Sequence, residues 1–345
     1  MMRRKKSELT TTVISTRMRL ARNLQAYPFP AKLTSEQAEE IVVLTRNALA
    51  RLDSGWTEYD VRAIGKAKAM LLQEQHLISP ALVAGRRGGT AFVSADGEVS
   101  VMVNEEDHLR EQYIVSGFRL DDAYERVCSL DDGLGEQLHF AYDKKLGFLT
   151  ACPSNVGTGL RASVMMFLPG LERCGGIRAL VEKWSECGLT VRGMFGEGTV
   201  SEGYRYQISN DKTLGLSEYE ILRYMETATV EIAKAEQAER KKMLAEEGYR
   251  FKDECLRAYG VLTNCGYLRF QEMMDMLTKV KLGVALGFFK LTDDEPYALD
   301  LFIDDMRPYS FCVEHDLFGV DEAERDVHRA AVMRRVLPRL VVRTD

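Results

Sequence analysis

Five arginines occur at the edges of apolar, strand-like runs or beside glycine turns, where phosphate chemistry is possible. They are Arg17, Arg19, Arg110, Arg161 and Arg192. A guanidinium stays charged and pairs with phosphate oxygens in a bidentate way. The chain has no G-x-x-x-x-G-K-[ST] loop, no protein-kinase H-R-D or D-F-G motif and no dinucleotide-type G-x-G-x-x-G motif, so side chains would have to hold a nucleotide. The alternative is surface arginines whose stems cover apolar neighbours.

Three consecutive carboxylates, Glu105, Glu106 and Asp107, follow a hydrophobic run and Asn104. Burying such a cluster costs several kcal/mol unless cations lie close by. The cluster therefore predicts guanidinium partners. A solvated acidic loop is the other interpretation.

The segment C-P-S-N-V-G-T at 152–158 places Cys152 at a predicted strand end, ahead of a turn rich in backbone N–H donors. Nearby arginines favour the thiolate form of such a cysteine. A buried structural thiol is the alternative.

The elements that must position these groups are mostly strands. Alternation in 13–20 predicts a strand with Ser15, Arg17 and Arg19 on one face, and A-D-G at 95–97 predicts a hairpin. We predict an α+β fold with a largely antiparallel sheet flanked by helices. Further strands are expected at 90–94, 98–103, 146–151, 162–168, 189–194 and 204–209, and helices at 34–52, 61–75 and 177–187.

The second part of the sequence is predicted to be all-helical. Ser217 and Glu220 form a capping-box pattern that starts a long helix through about residue 246. We place a boundary near 210–216, which gives a catalytic domain at 10–216 and a helical domain at 217–345.

Composition restricts the partners. The 345 residues are 46% hydrophobic, and a net charge of −6 with pI near 5.6 argues against nucleic-acid binding. No apolar run reaches the roughly 18–20 residues of a spanning helix, so no membrane partner is expected. The basic N-terminus leads into S-E-L-T rather than an apolar stretch, unlike a secretory signal. Seven scattered cysteines without C-x-x-C pairs indicate reduced thiols in a cytoplasm.

Four segments in this order resemble motifs of the ATP:guanido phosphotransferases, the family of arginine kinase and creatine kinase. They are S-T-R-M-R at 15–19, N-E-E-D-H-L-R at 104–110, C-P-S-N-V-G-T-G-L-R-A-S at 152–163 and R-G-M-F-G-E at 192–197. The cysteine-centred segment resembles the family signature. The resemblance covers about 10–216 and implies the family's catalytic fold.

The sequence departs from the phosphagen kinases of this family in two ways. In both it resembles a subfamily, the bacterial McsB-type protein-arginine kinases. Little sequence precedes the S-T-R strand, and the C-terminal part carries R-D-V-H-R-A at 325–330, similar to the R-D-x-x-R-A motif of those kinases. The resemblance implies a regulatory phosphoarginine pocket that includes Arg325, Asp326, Arg329 and Ala330. The alternative is an ordinary solvated helix face.

The resemblance also implies individual roles. The five arginines would clamp the phosphates of ATP, which arrives with Mg²⁺, so no metal site made of protein ligands is predicted. Glu106 would orient the acceptor guanidinium and take its proton, and Cys152 as thiolate would steady its positive charge. The expected nucleotide-binding residues are Ser15, Thr16, Arg17, Met18, Arg19, His76, Arg110, Arg161, Ala162, Ser163, Val164, Met165, Arg192, Gly193, Met194, Phe195, Gly196 and Glu197. For His76 an ordinary helix-end histidine is the alternative.

In phosphagen kinases the second catalytic carboxylate lies at the position that Val200 occupies here, so this chain has no carboxylate at that position. Glu197 could substitute, and Glu202 is a weaker option. Phe195 stands where phosphagen kinases have arginine, and Arg192 could supply that charge. These departures disfavour free arginine as the substrate.

The function implied is transfer of the γ-phosphate of ATP to arginine side chains of proteins. The implied partners are protein substrates, an activator protein and the Clp protease machinery that degrades the marked proteins, and a homodimer through the C-terminal helices is a further possibility. One alternative is a free-guanidino phosphagen kinase. Another is a catalytically inactive phosphoarginine-binding adaptor, which the intact set of Glu106, Cys152 and the five arginines disfavours.

Overall fold

A large antiparallel sheet forms the first part of the chain. The structure, a computed structural model, describes residues 9–85, 88–193, 202–292 and 294–344. Within these ranges the sheet contains β1 (Val13–Arg22), β2 (Thr57–Asp60), β3 (Thr90–Val93), β4 (Val99–Val103), β5 (Leu109–Ser116), β8 (Leu160–Phe167), β9 (Leu189–Gly193) and β10 (Arg205–Asn210), and a separate hairpin pairs β6 (Tyr142–Asp143) with β7 (Gly147–Phe148). The order β2-β3-β4-β5-β1-β8-β10-β9 and the antiparallel pairings confirm the predicted fold class.

One face of this sheet is covered by helices and forms the main core. Met18, Val164 and Ile208 point to that face and pack with residues of the helices over them. Alternation then directs the neighbouring polar residues of the same strands to the opposite face. The helices of this part are α1 (Ser35–Leu52), α2 (Gly65–Glu74), α3 (Pro80–Val83), α4 (Leu120–Gly135), α5 (Pro169–Arg173) and α6 (Ile177–Glu186).

A long helix joins the sheet to a second, helical core. Helix α7 (Glu218–Leu262) begins at the predicted Ser217–Glu220 capping box and bends at Glu247, where φ is −138°. Its first half packs on the sheet and its second half on the helical core. That core also contains α8 (Phe270–Ala285), α9 (Ala298–Asp305), α10 (Pro308–Glu314), α11 (Glu322–Leu340) and a hairpin of β11 (Phe289–Leu291) and β12 (Val341–Arg343). The division at 216/217 stays a prediction. No helix in the described ranges combines the length and hydropathy needed to span a bilayer.

Two predicted elements differ from the structure. The run 146–151 contains only the two strand residues of β7, because Gly147 adopts a left-handed φ of 77° against Gly157; a Cβ there would lie 2.5 Å from the Gly157 oxygen. Cys152 therefore follows an irregular segment rather than a strand. The helix expected at 61–75 begins only at Gly65, after a turn closed on the Asp60 carbonyl. The structure also has elements that were not predicted: strands β2 and β5, helices α3, α4 and α5, and the β11–β12 hairpin within the second part, which was expected to be all-helical.

Candidate active site

All five candidate arginines lie on the same face of the sheet. Arg19 is opposite Arg161 across β1 and β8, and Arg110 of β5 is opposite Ala21 of β1. Arg192 of β9 is opposite Gln207 of β10. Residues paired across antiparallel strands point to the same side. We call this side, with Arg17, Arg19, Arg110, Arg161 and Arg192, the arginine face.

The arginine face is crowded with positive charge. Burial, followed by Arg110 and Arg161, lowers the pKa of Arg17 to about 10. Burial and the charges of Arg17, Arg110 and Arg161 hold the pKa of Arg19 well below its usual value. Among the residues that the structure describes, the buried Nε atoms of Arg19 and Arg161 have no hydrogen-bond partner. An anion that accepted these donors would relieve both the repulsion and the unmet hydrogen bonding.

Neutral side chains form hydrogen bonds with two of these guanidiniums, those of Arg17 and Arg161. Arg17 Nη2 donates to Gln207 Oε1 at 2.7 Å, and its Nε lies 3.5 Å from Ser163 Oγ. Arg161 Nη2 donates to Ser209 Oγ at 3.3 Å. An amide or hydroxyl fixes the orientation of a guanidinium without cancelling its charge. The charge therefore remains for a ligand.

The acid loop (residues 104–108) gives its first two carboxylates different environments. Asn104 adopts a left-handed φ of 57°, held by its Nδ2, which donates to the Ala38 carbonyl at 2.9 Å. Glu105 is 3% exposed, pairs with Arg110 Nη1 at 2.8 Å and accepts from Ser79 Oγ at 2.6 Å. Glu106 is 42% exposed, and its Oε2 lies 3.4 Å from Arg110 Nη2. Glu105 is thus a buried partner of Arg110, whereas Glu106 is accessible.

Asp107, the third carboxylate, links the acid loop to the cysteine loop (residues 150–158). Its Oδ1 accepts from Asn23 Nδ2 and from the Ala151 N–H, both at 2.6 Å. Burial raises the pKa of Asp107, although these two hydrogen bonds oppose that shift. The next residue, Cys152, is partly buried, with its Sγ 3.0 Å from Ser154 Oγ. Burial, and then the charge of Arg192, lowers the pKa of Arg161, and Cys152 lies close enough to oppose that shift. Glu106 and Cys152 therefore lie on two loops fixed to each other beside the arginine face.

His76 lies at the edge of the arginine face nearest the helical region. It has a left-handed φ of 59°, and its carbonyl accepts from Gln112 Nε2 at 2.7 Å. Burial, and then the charge of Arg17, lowers the pKa of its imidazole to about 4, although Asp304 opposes this. His76 is therefore neutral at physiological pH.

The remaining predicted residues divide by strand alternation. Ser15, Ser163 and Met165 share the arginine face, as their register with Arg17 and Arg161 requires. Four others point to the opposite face: Thr16, whose Oγ1 donates to the Gly117 carbonyl at 2.6 Å, and the core residues Met18, Ala162 and Val164. Gly193 ends β9. The predicted residues Met194, Phe195, Gly196 and Glu197 lie outside the described residues, as does Val200.

The R-D-V-H-R-A segment lies on α11. Asp326 and Arg329 are buried and paired with each other, and Arg329 Nη1 also donates to the Leu268 carbonyl at 3.1 Å. Ala330 is in the helical core, and Arg325 is only partly exposed. A hydrogen bond to Asp326 raises the pKa of Tyr267, which lines an open pocket of about 760 Å³. Asp326 and Arg329 thus also hold α11 to the preceding loop.

Sequence reasoning missed two contributors, Gln207 and Ser209. They alternate with Arg205 along β10, so the period-2 pattern of that strand already placed all three on one face. Their function as partners of Arg17 and Arg161 depends on the strand pairing.

Two family models match the chain. The first, described as ATP:guanido phosphotransferase, C-terminal catalytic domain, matches residues 37–239. The second, described as protein-arginine kinase McsB C-terminal domain, matches residues 249–343. The first match covers the described strands of the sheet other than β1, and the second covers the helical region from residue 249 onward.

Curated relatives are similar along nearly the whole chain. A protein-arginine kinase of Caldanaerobacter subterraneus subsp. tengcongensis is 38% identical over 324 residues, covering 92% of this chain and 94% of that protein. A protein-arginine kinase of Geobacillus thermodenitrificans is 37% identical over 329 residues, covering 94% and 90%.

Solved structures resemble the sheet-containing part. The duplicated taurocyamine kinase of Schistosoma mansoni with bound transition-state-analogue components is 30% identical, with a TM-score of 0.59 over 65% of this chain. The match spans only 33% of that duplicated protein. Lombricine kinase is 26% identical, with a TM-score of 0.60 over 66% of this chain and 67% of its own.

Proposed function

We infer the function of this chain from the family to which it belongs: it is a member of the ATP:guanido phosphotransferases and, within that family, a protein-arginine kinase. The reaction moves the γ-phosphate of ATP to an arginine side chain of a protein. The observation that carries this assignment to particular residues is the arginine face, where five guanidiniums share one side of the sheet and neutral groups hold two of them.

We propose that Arg17, Arg19, Arg110, Arg161 and Arg192 bind the phosphates of ATP. Phosphoryl transfer requires mainly positioning and charge neutralisation, and fixed guanidiniums supply both. The unpartnered Nε donors of Arg19 and Arg161 fit phosphate oxygens. Mg²⁺ would arrive with ATP as part of the substrate and would neutralise part of the phosphate charge.

At the acceptor, Glu106 orients the substrate guanidinium. As the new N–P bond forms and the bond from the γ-phosphorus to the bridging oxygen of ADP breaks, the attacking nitrogen loses a proton to the Glu106 carboxylate. Its exposure makes Glu106 accessible to an arginine presented by another protein. Cys152 stabilises the positive charge of the acceptor. Glu197 is the proposed second carboxylate. Glu202 is less suitable because its Oε2 lies 3.9 Å from Arg307 Nη2, in the helical region.

The wider biology is also a proposal. Arg325, with Asp326, Arg329 and Ala330, would bind phosphoarginine next to the pocket lined by Tyr267, Arg269 and Lys279, where cations are available for a phosphate. An activator protein, delivery of marked proteins to a Clp-type protease, a homodimer and a cytoplasmic location belong to the same proposal.

The deciding experiment offers ATP with an unfolded protein and, in parallel, with free L-arginine. Products are mapped by mass spectrometry without acid, because N–P bonds hydrolyse in acid. We expect phosphate on protein arginines. Turnover of the free amino acid alone would instead identify a phosphagen kinase, and binding of phosphoarginine without turnover of either substrate would identify an adaptor.

A further inference from the structure

A buried ionic cluster joins the arginine face to the helical region. Arg205 is 5% exposed and lies two residues before Gln207 on β10, so both share the arginine face. Its Nη1 pairs with Asp304 at 2.8 Å and its Nη2 with Asp300 at 3.3 Å, and both carboxylates belong to α9. Asp300 also pairs with the buried Lys281. Among the described residues, Asp304 therefore pairs with the arginines of this cluster, Arg205 and Arg307, whereas Asp300 shares Arg205 with a lysine.

The helical region meets the arginine face at a second point, next to His76. Glu74 Oε2 accepts from the backbone N–H groups of Tyr309 and Ser310, both at 2.9 Å, which fixes α10 against the end of α2. Two residues later His76 turns its chain into a left-handed conformation, and its ring is close enough to Arg17 and Asp304 for both to shift its pKa. Contact with the helical region therefore holds the end of α2, two residues before His76.

Asp304 is charged where these contacts meet. Burial raises the pKa of its carboxyl, but Arg205, then Arg307 and His76, lower it by more. Arg307 Nε lies 3.5 Å from Asp304 Oδ1. The Asp304 side chain is 38% exposed, but the guanidinium that it holds, Arg205, is buried, so removal of this carboxylate leaves Arg205 to its weaker pair with Asp300.

We propose that Asp304 of the helical region is a positioning residue for ATP binding, which fixes Arg17 through Arg205 and Gln207 of β10. The inference rests on the proposed function of the arginine face. Within the described ranges, the hydrogen-bond partners of Arg17 are the neutral side chains of Gln207 and Ser163. Its position therefore depends on the groups behind those partners, and the helical region becomes part of the nucleotide site.

The test compares Asp304→Asn with Asp305→Asn, a neighbouring exposed acid on the same helix. Both full-length variants are measured for the dissociation constant of a fluorescent ATP analogue, for KM of ATP, for KM of an unfolded protein substrate, and for thermal unfolding. We expect Asp304→Asn to weaken nucleotide binding and raise KM for ATP by about tenfold, which corresponds to about 1.4 kcal/mol, with KM for the protein within about twofold. Asp305→Asn should match the parent chain.

A purely structural role of Asp304 would instead lower thermal stability with no selective change in ATP affinity, and that result would overturn the proposal. Should Asp304→Asn fail to fold, Arg205→Lys replaces it, since lysine keeps the buried charge but not the planar fork. Unchanged ATP affinity in that folded variant would also overturn the proposal. The binding assay needs no turnover, so a parent chain that binds ATP but phosphorylates no protein contradicts only the proposed function.

Discussion

Adjacent glutamates of the acid loop should respond in opposite ways to the same substitution. Glu106→Gln keeps the size of the side chain but removes its negative charge and its ability to accept a proton. Its ion pair with Arg110 is long, at 3.4 Å, and 42% of the side chain is exposed, so the loss of stability should stay within about 1 kcal/mol. General-base catalysis contributes about 10²–10⁴-fold. We expect protein phosphorylation to fall by that factor with nearly unchanged thermal unfolding.

Glu105→Gln is the matched control. Its carboxylate is 3% exposed and pairs with Arg110 at 2.8 Å, and breaking a buried pair costs about 3–5 kcal/mol. Its main effect should be a lower unfolding temperature, with activity reduced through the position of Arg110. The assay is the initial rate of phosphorylation at saturating ATP, beside calorimetric unfolding. A Glu106→Gln variant that keeps more than about a tenth of the parent rate would refute the assignment of the proton acceptor.

Three further results are expected. Gly157→Ala should destabilise the protein by about 1–3 kcal/mol in chemical denaturation, because Gly157 has φ 112° and a Cβ would lie 2.4 Å from the Thr213 oxygen; equal stability would contradict the described turn. Burial lowers the pKa of His108 to about 4, so the unfolded chain binds more protons between pH 6.5 and 4 and stability falls as pH falls through that window; His108→Gln should flatten this dependence in unfolding curves, and an unaltered slope would exclude His108 as its source. Arg325→Ala should abolish phosphoarginine binding in calorimetry without loss of fold. Asp326→Ala should also lower the unfolding temperature because Asp326 is buried. Full phosphoarginine binding by Arg325→Ala would contradict the proposed phosphoarginine pocket.

The sequence predicted the orientation of β1 because that orientation is local. Alternation alone placed Arg17 and Arg19 on one face, and the register confirms that they share it. Their meeting with Arg161 depends on the pairing of β1 with β8, which are more than 100 residues apart in the chain, and Arg192 joins them through the pairings of β8 with β10 and of β10 with β9. No local pattern encodes such a pairing, and the resemblance to known motifs supplied it.

The separate environments of Glu105 and Glu106 could not be predicted. Consecutive carboxylates look equivalent in sequence, and the difference arises from the left-handed backbone of Asn104, fixed by its hydrogen bond to the Ala38 carbonyl. The contact between the Asp107 carboxylate and the Ala151 N–H also joins segments 44 residues apart. The ionic cluster around Asp304 was missed because its members come from distant elements and each is unremarkable alone.

The neutral partners of Arg17 and Arg161 have a consequence for turnover. Gln207 and Ser209 are neutral, so they do not compensate the positive charges of Arg17 and Arg161. The guanidiniums of the arginine face therefore repel one another, and a bound nucleotide would reduce this repulsion. A triphosphate relieves more of this repulsion than a diphosphate does. In the proposed site, transfer of the γ-phosphate would therefore weaken the attraction between the arginine face and the nucleotide, so ADP would dissociate more readily than ATP.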